Sequence, residues 1–168
     1  MRRTVSTLAL GIVAAVGVAA VATSCGSDSI APVNKTYVAN LTAANEGGTV
    51  TSPGSGVFTF EDKGTEIDWT LTLTNITNVT ASHIHKGSAT NVGTTAGPVI
   101  INLYLPNRPP ETGTLNGVVA SGTITNANNS SVSLDSLRVL FNNGNAYANV
   151  HTTANPGGEI RDQVHPSN

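Results

Sequence analysis

The sequence predicts an all-β protein, an antiparallel β-sandwich with one short helix. Apolar and polar residues alternate along most of the chain after residue 35, in short segments that Gly, Asn and Pro residues separate. Charged residues make up only 11% of the chain, against about 25% in an average globular protein, which disfavours long solvent-exposed helices. The 168 residues are enough for one ordinary domain, so we expect a single sandwich.

The first 24 residues have the pattern of a bacterial secretory leader. Two arginines precede an apolar run over residues 8–22, which is shorter than the roughly 20 residues that a transmembrane helix needs. We therefore interpret 1–24 as a signal peptide of the lipoprotein type. Ala22-Thr23-Ser24-Cys25 resembles the lipobox, after which the cysteine is lipidated, although Leu is usual where Ala22 stands. The alternative is ordinary cleavage nearby, which leaves an unpaired thiol in an oxidising compartment.

The lipoprotein interpretation predicts where the protein resides. Lipidated Cys25 anchors the chain, and residues 25–35, which are small, polar and interrupted by Pro32, form a flexible tether. We expect an exported protein held on the cell membrane or the outer membrane, with its domain on the periplasmic or extracellular face. The formal net charge of −2 gives no attraction for a phosphate backbone, so nucleic acid is excluded as a partner.

Eight short strands are expected between residues 36 and 165. They cover residues 37–41, 57–60, 67–74, 81–86, 99–104, 117–125, 146–152 and 158–164. The most regular is 67–74, whose alternation places Trp69 beside Ile67 and Leu71 on one buried face. Threonines occupy its other face, where a β-branched side chain packs well on a pleated surface.

One segment departs from this alternation and predicts the short helix. In residues 133–141, apolar side chains recur at Leu134, Leu137 and Leu140, which is the spacing of one helix face. Ser133 can cap the N-terminus of this helix. The residues 142–145 that follow are Asn and Gly, which tolerate positive φ and end it.

Three histidines form the candidate functional cluster. His83 and His85 are two residues apart on an expected strand and therefore share a face that points outward, while Ile84 points inward. On the strand 146–152, parity with the apolar positions places His151 on the outer face as well. Neutral imidazoles bind copper and zinc, and three of them leave an open coordination position. The pattern therefore predicts a site for one of these two metals.

The alternative for this cluster is structural, since the histidines can instead hydrogen-bond across the sheet or to loop carbonyls. Glu159 and Arg161 share a face, where either can hydrogen-bond an imidazole or the two can form an ordinary surface ion pair. His165 is interpreted as a solvated residue of the tail. The sequence has no phosphate-binding loop, nucleophile elbow or metalloprotease motif, and we assign no catalytic residue.

Four stretches of the chain resemble the chordin-type (CHRD) domain family. They are Ala81-Ser82-His83-Ile84-His85-Lys86-Gly87, Ala96-Gly97-Pro98-Val99, Ala146-Tyr147-Ala148-Asn149-Val150-His151-Thr152 and Asn155-Pro156-Gly157-Gly158-Glu159-Ile160-Arg161-Asp162-Gln163. The resemblance extends over residues 36–165, which we take as the domain. Three departures are mild: Ala148 stands where the family usually has Val, Asp162 stands where it has Gly, and residues 90–95 lengthen the loop before Gly97 and Pro98.

The resemblance implies a Greek-key sandwich similar to immunoglobulin domains or to copper/zinc superoxide dismutase. Together with the lipobox, it leads us to expect a non-enzymatic binding or interaction module that is anchored to the membrane through Cys25 and whose ligand is an unknown protein or a metal. Two alternatives stay open: a copper-dependent redox enzyme of the dismutase type, and a purely structural or adhesive envelope protein. A dismutase-type pair of metals takes six histidines and an aspartate, whereas this chain has four histidines and one cysteine.

Overall fold

A computed structural model describes residues 34–46, 48, 50–89, 96–104 and 111–167. The predicted signal peptide, Cys25 and most of the predicted tether lie outside these residues. Within them the chain forms nine strands and two short helices, which confirms the all-β class. In the part of the chain that the structure describes, no helix is long and apolar enough to cross a membrane.

The observed elements follow the predicted segments closely. The strands are β1 (Lys35–Thr42), β2 (Ser55–Asp62), β3 (Ile67–Thr77), β4 (Val79–Lys86), β5 (Val99–Tyr104), β6 (Thr114–Ile124), β7 (Ala146–Thr152), β8 (Ile160–Gln163) and β9 (His165–Pro166), and the helices are α1 (Ala43–Glu46) and α2 (Leu134–Asn142). Both ends of β5 and of β7 are as the alternation predicts, and α2 is the predicted helix. The single turn α1 and the two-residue β9 have no counterpart in the prediction.

The strands form one continuous hydrogen-bonded path in the order β5-β4-β7-β8-β1-β2-β3-β6, and β9 adds to β1. The pairings along this path are antiparallel. The two end strands, β5 and β6, both line one cleft of about 570 Å³, so the path curls until its edges approach each other. The predicted sandwich therefore takes the form of a nearly closed barrel.

The hydrophobic core lies inside this curled sheet and is built from alternate positions of each strand. On β3, Ile67, Trp69 and Leu71 are buried, whereas Asp68 and Thr70 between them are partly exposed. The predicted facing of this strand is confirmed. The core therefore forms from the period-two pattern that defines the strands.

An aromatic cluster attaches α2 to the sheet. The ring of Phe141, on α2, lies 5.1 Å from the ring of Tyr37 on β1 and 5.1 Å from that of Phe60 on β2, measured between centroids. Phe58 stacks on Phe60 at 5.6 Å. Burial of each such side chain contributes roughly 1.5–3 kcal/mol. This packing fixes α2 against the core.

Polar contacts complete the attachment of α2. Ser133 caps the helix, since its Oγ accepts a hydrogen bond of 3.2 Å from the backbone N–H of Ser136. Arg138 donates to both carboxylate oxygens of Asp62 on β2, at 2.6 Å from Nε and 2.8 Å from Nη2. These hydrogen bonds from Arg138 hold the pKa of Asp62 below its usual range, although burial opposes them. Breaking one partner of such a mostly buried pair is costly.

Candidate metal centre

Strands β4 and β7 lie side by side and carry the three histidines of the predicted cluster. Ile84 is fully buried in the core, so His83 and His85 leave β4 on the opposite face, as strand parity requires. His151 leaves the neighbouring β7 on that same face. One nitrogen from each of the three rings lies within 4.8 Å of the other two. The fold therefore gathers all three predicted residues in one place.

The face that carries these histidines is largely covered. The sequence interpretation points both β4 histidines outward, yet His85 is only 4% exposed. Its ring stacks on Tyr147 at 4.9 Å with a 5° angle between the planes, and its edge meets the backbone of Gly97. A Cβ at Gly97 would lie 2.0 Å from the carbonyl oxygen of Lys86, so only glycine can lie this close to the backbone at the end of β4. The outer face of β4 is thus buried at His85 and partly exposed at His83.

Backbone carbonyls fix the hydrogen position on two of the rings. The Nδ1 of His85 lies 2.7 Å from the carbonyl oxygen of Gly97, and the Nδ1 of His151 lies 3.0 Å from that of Pro156. Because a carbonyl oxygen only accepts, each Nδ1 carries the hydrogen and each Nε2 keeps its lone pair. Metal-ligating histidines are commonly held in this way, with the second ring nitrogen bonded to a backbone carbonyl or a carboxylate.

His83 joins the cluster through its Nδ1, which lies 3.0 Å from the Nε2 of His151. Since that Nε2 is an acceptor, the Nδ1 of His83 donates to it in the metal-free protein. The nitrogens available to a metal are therefore Nδ1 of His83 and Nε2 of His85 and His151. A metal bound by all three requires His83 to carry its hydrogen on Nε2 instead, which a neutral imidazole allows.

Burial lowers the pKa of all three histidines. Desolvation is the largest cause for each ring, and the neighbouring His151 and His85 add to it at His83, whose pKa falls to about 4. The carbonyls of Gly97 and Pro156 raise the pKa of their partners, but by less than burial lowers it. The three rings are therefore neutral at pH 7, the state in which imidazole binds a metal.

These depressed pKa values predict that the metal-free protein loses stability as the pH falls below about 6.5. In the unfolded chain each imidazole takes up a proton near its ordinary pKa of about 6.5, whereas the folded His83 resists protonation down to about 4. The free energy of unfolding is therefore greatest above pH 6.5 and decreases as the pH falls toward 4. Urea unfolding of chelator-treated protein at a series of pH values measures this decrease.

A His83→Asn variant provides the matched control for that profile. It removes one of the titrating rings, so its free energy of unfolding should decrease less steeply over the same pH range. The carboxylates contribute equally to the pH dependence of stability in both proteins. Burial raises the pKa of Glu46, so this residue makes the folded protein more stable as the pH falls, in the same way in both proteins. Parallel profiles for the two proteins would contradict the assignment of the slope to His83.

Within the described residues, neither Glu159 nor Arg161 hydrogen-bonds an imidazole. Glu159 accepts hydrogen bonds of 2.6–3.1 Å from Ser52, Thr152 and Asn155. Although burial raises the pKa of Glu159, these hydrogen bonds together hold it below its usual range. Glu159 thereby fixes the turn over residues 155–158, which presents the Pro156 carbonyl to His151.

Arg161 is buried beside Tyr147, next to the histidine cluster. Its guanidinium lies 5.5 Å from the ring centre of Tyr147, the residue that stacks on His85. It donates a hydrogen bond of 2.8 Å to the backbone carbonyl of Glu46, whose carboxylate lies 3.5 Å away. Arg161 is 7% exposed and Glu159 is 8% exposed, so the alternative of a surface ion pair between them is wrong.

The remaining residues of the region divide into those inside the cluster and those outside it. His165 lies on β9 opposite Val38, with an exposed side chain. Tyr147 and Asn149 are each 2% exposed and border the histidines, yet the sequence interpretation gives them no role. Strand parity could have identified both residues from the sequence, because each is an even number of positions from His151 on β7 and therefore shares its face.

The fold and this cluster define a class of protein: an antiparallel β-barrel domain with three neutral histidines gathered on two adjacent strands. The model of the CHRD domain family matches residues 37–164, and the chain belongs to that family. The predicted resemblance is thus confirmed. No curated protein and no solved structure matches the chain. Membership of the family supports a binding module in general.

Proposed function

We propose that this protein is a non-enzymatic module of the cell envelope that binds one ion of Cu(II) or Zn(II) through His83, His85 and His151. The observation that carries the proposal is the convergence of three neutral imidazole nitrogens within 4.8 Å. Imidazole suits both metals as a ligand. Metal–nitrogen distances of about 2.0–2.1 Å place tetrahedral ligand atoms roughly 3.3–3.4 Å apart, so nitrogens that lie as much as 4.8 Å apart need to approach by about 1.4–1.5 Å.

The metal-free cluster contains a buried nitrogen that the cross-strand contacts leave unsatisfied. The Nε2 of His85 is buried and has no hydrogen-bond partner among the described residues. Leaving a buried polar atom unsatisfied costs roughly 1–3 kcal/mol. Cross-strand hydrogen bonding accounts for the contact between His83 and His151, but it leaves His85 unexplained. A bound metal ion satisfies all three rings.

Calorimetric titration of the mature protein, in detergent and purified without a polyhistidine tag, tests the proposal. At neutral pH we expect one equivalent of Cu(II) or Zn(II) to bind with a Kd of about 10 μM or lower. The triple variant His83→Ala, His85→Ala, His151→Ala is expected to bind none at this site. Absence of binding to the wild type, or equal binding to the triple variant, would overturn the proposal.

We also propose that the protein reaches the envelope as a lipoprotein anchored through Cys25. The support comes from the sequence, in which an apolar leader and small residues precede this cysteine. Residues 26–34 separate Cys25 from the start of β1 at Lys35. Nine extended residues span at most about 30 Å, so this tether would hold the domain close to the membrane surface.

Replacing Cys25 tests the anchor. The Cys25→Ser variant is expected to accumulate as uncleaved precursor or to be released in soluble form, because it has no sulfur to acylate. Fractionation and mass spectrometry of the N-terminus measure this, and the wild type should begin at an acylated Cys25. Ser27→Ala lies beyond the cleavage position and should be processed and anchored normally. An unmodified wild-type N-terminus at Gly26 or Ser27 would exclude the anchor.

A further inference from the structure

Asn149 lies within the histidine cluster, and its amide oxygen is unused. On β7 it is two residues before His151, and in the register of β4 and β7 it lies directly opposite His83. All three side chains therefore leave the sheet on the same face. Asn149 is 2% exposed, and its Oδ1 is buried without a hydrogen-bond partner among the described residues. Buried amides of this kind are normally satisfied.

The Nε2 of His85 is a second buried acceptor without a hydrogen-bond partner among the described residues. The side chain of His85 leaves β4 on this same face, diagonally across from Asn149 in the register of β4 and β7. The Gly97 carbonyl keeps the hydrogen of His85 on Nδ1, so its Nε2 presents a lone pair. Neither this Nε2 nor the Oδ1 of Asn149 can donate to the other. A cation between the two acceptors satisfies both.

We propose that Oδ1 of Asn149 is the fourth ligand of the metal ion, completing a set of three nitrogens and one oxygen. This inference rests on the proposed function and deepens it. Four protein ligands close a tetrahedral site, whereas catalytic sites keep one position open for water or substrate. A site with four protein ligands fits a module that stores or carries its metal.

Azide binding to the Cu(II)-loaded full chain tests whether a coordination position is open. Azide gives a strong charge-transfer absorption band when it takes one of the four strong positions of tetragonal Cu(II), and the wild type is expected to lack this strong band. Asn149→Leu keeps a similar side-chain volume but has no ligating oxygen. This variant is expected to bind Cu(II) about 10–100-fold more weakly and to gain the azide band, because removing even an outer partner of a metal ligand has an effect of that size.

One further variant separates the ligating oxygen of Asn149 from the rest of its amide, and a variant of Asn102 provides the control. Asn149→Asp keeps a ligating oxygen and removes the amide hydrogens, so it is expected to retain Cu(II) and to exclude azide. If Asn149 instead acts as a donor through Nδ2, the Asp and Leu variants will behave alike. Asn102 is the matched control, since it lies opposite His83 on β5 but is exposed, and Asn102→Leu should keep the wild-type affinity and azide response.

The outcomes separate this inference from the proposed function. A wild type that binds no Cu(II) rejects the whole metal site. A wild type that binds Cu(II) but already shows the strong azide band rejects Asn149 as a ligand and leaves the three histidines in place. An Asn149→Leu variant that binds Cu(II) with wild-type affinity and shows no azide band also rejects Asn149 as a ligand. If Asn149→Leu does not fold, the azide responses of the wild type and of Asn149→Asp decide whether Asn149 is a ligand.

Discussion

His85→Ala is expected to weaken the binding of Cu(II) or Zn(II) by about 100-fold or more. His85 is the most deeply buried of the three histidines, and its Nε2 is already aimed into the cluster with no other partner among the described residues. Loss of an outer partner of a ligand costs about 10–100-fold in affinity, and loss of the ligand itself should exceed that. Competition against a chelator of known affinity measures the change.

The other histidines provide the comparison. His83→Ala and His151→Ala should each weaken binding strongly, because two ligands hold a metal far less well than three. His165→Ala is the control, since this exposed residue lies on β9 outside the cluster. A His85→Ala variant with wild-type affinity, or a His165→Ala variant with the greater loss, would contradict the assignment.

Trp69→Ala is expected to lower the free energy of unfolding by about 3–5 kcal/mol. The indole is 8% exposed and lies 6.0 Å from the ring of Phe58, measured between centroids. The backbone of Gly122 covers it so closely that a Cβ there would lie 3.0 Å from three of its ring atoms. Truncation therefore leaves a cavity that neighbouring groups cannot easily fill. Urea unfolding at neutral pH measures the loss.

Val139→Ala is the control for this substitution. Val139 lies on α2 with 57% of its surface exposed, so its truncation should change the free energy of unfolding by no more than about 0.5 kcal/mol. A loss below about 1 kcal/mol for Trp69→Ala would contradict the burial of the indole and the facing of β3.

The strands were predictable because alternation is a local property of the sequence. On β3 the pattern assigns Trp69 to the buried face, and β5 and β7 begin and end where the pattern does. The α1 turn and β9 are too short to show any period. The contact between Arg138 and Asp62 joins residues 76 positions apart, and no local pattern pairs them.

The candidate site was predictable in part for the same reason. Parity on two strands places His83, His85 and His151 on one face, and pairing of those strands brings the rings together. Parity does not reveal what covers that face. The carbonyls of Gly97 and Pro156 come from segments outside the strands, so the burial of His85 and the fixed hydrogen positions follow only from the tertiary fold.

Whether His83, His85 and His151 hold a metal ion is tested most directly by X-ray diffraction from metal-loaded crystals on both sides of the metal absorption edge. We predict one anomalous peak per chain, about 2.0–2.1 Å from Nδ1 of His83 and from Nε2 of His85 and His151. A peak at His165 alone, or no peak while Nδ1 of His83 still donates to His151, would contradict the proposed metal centre.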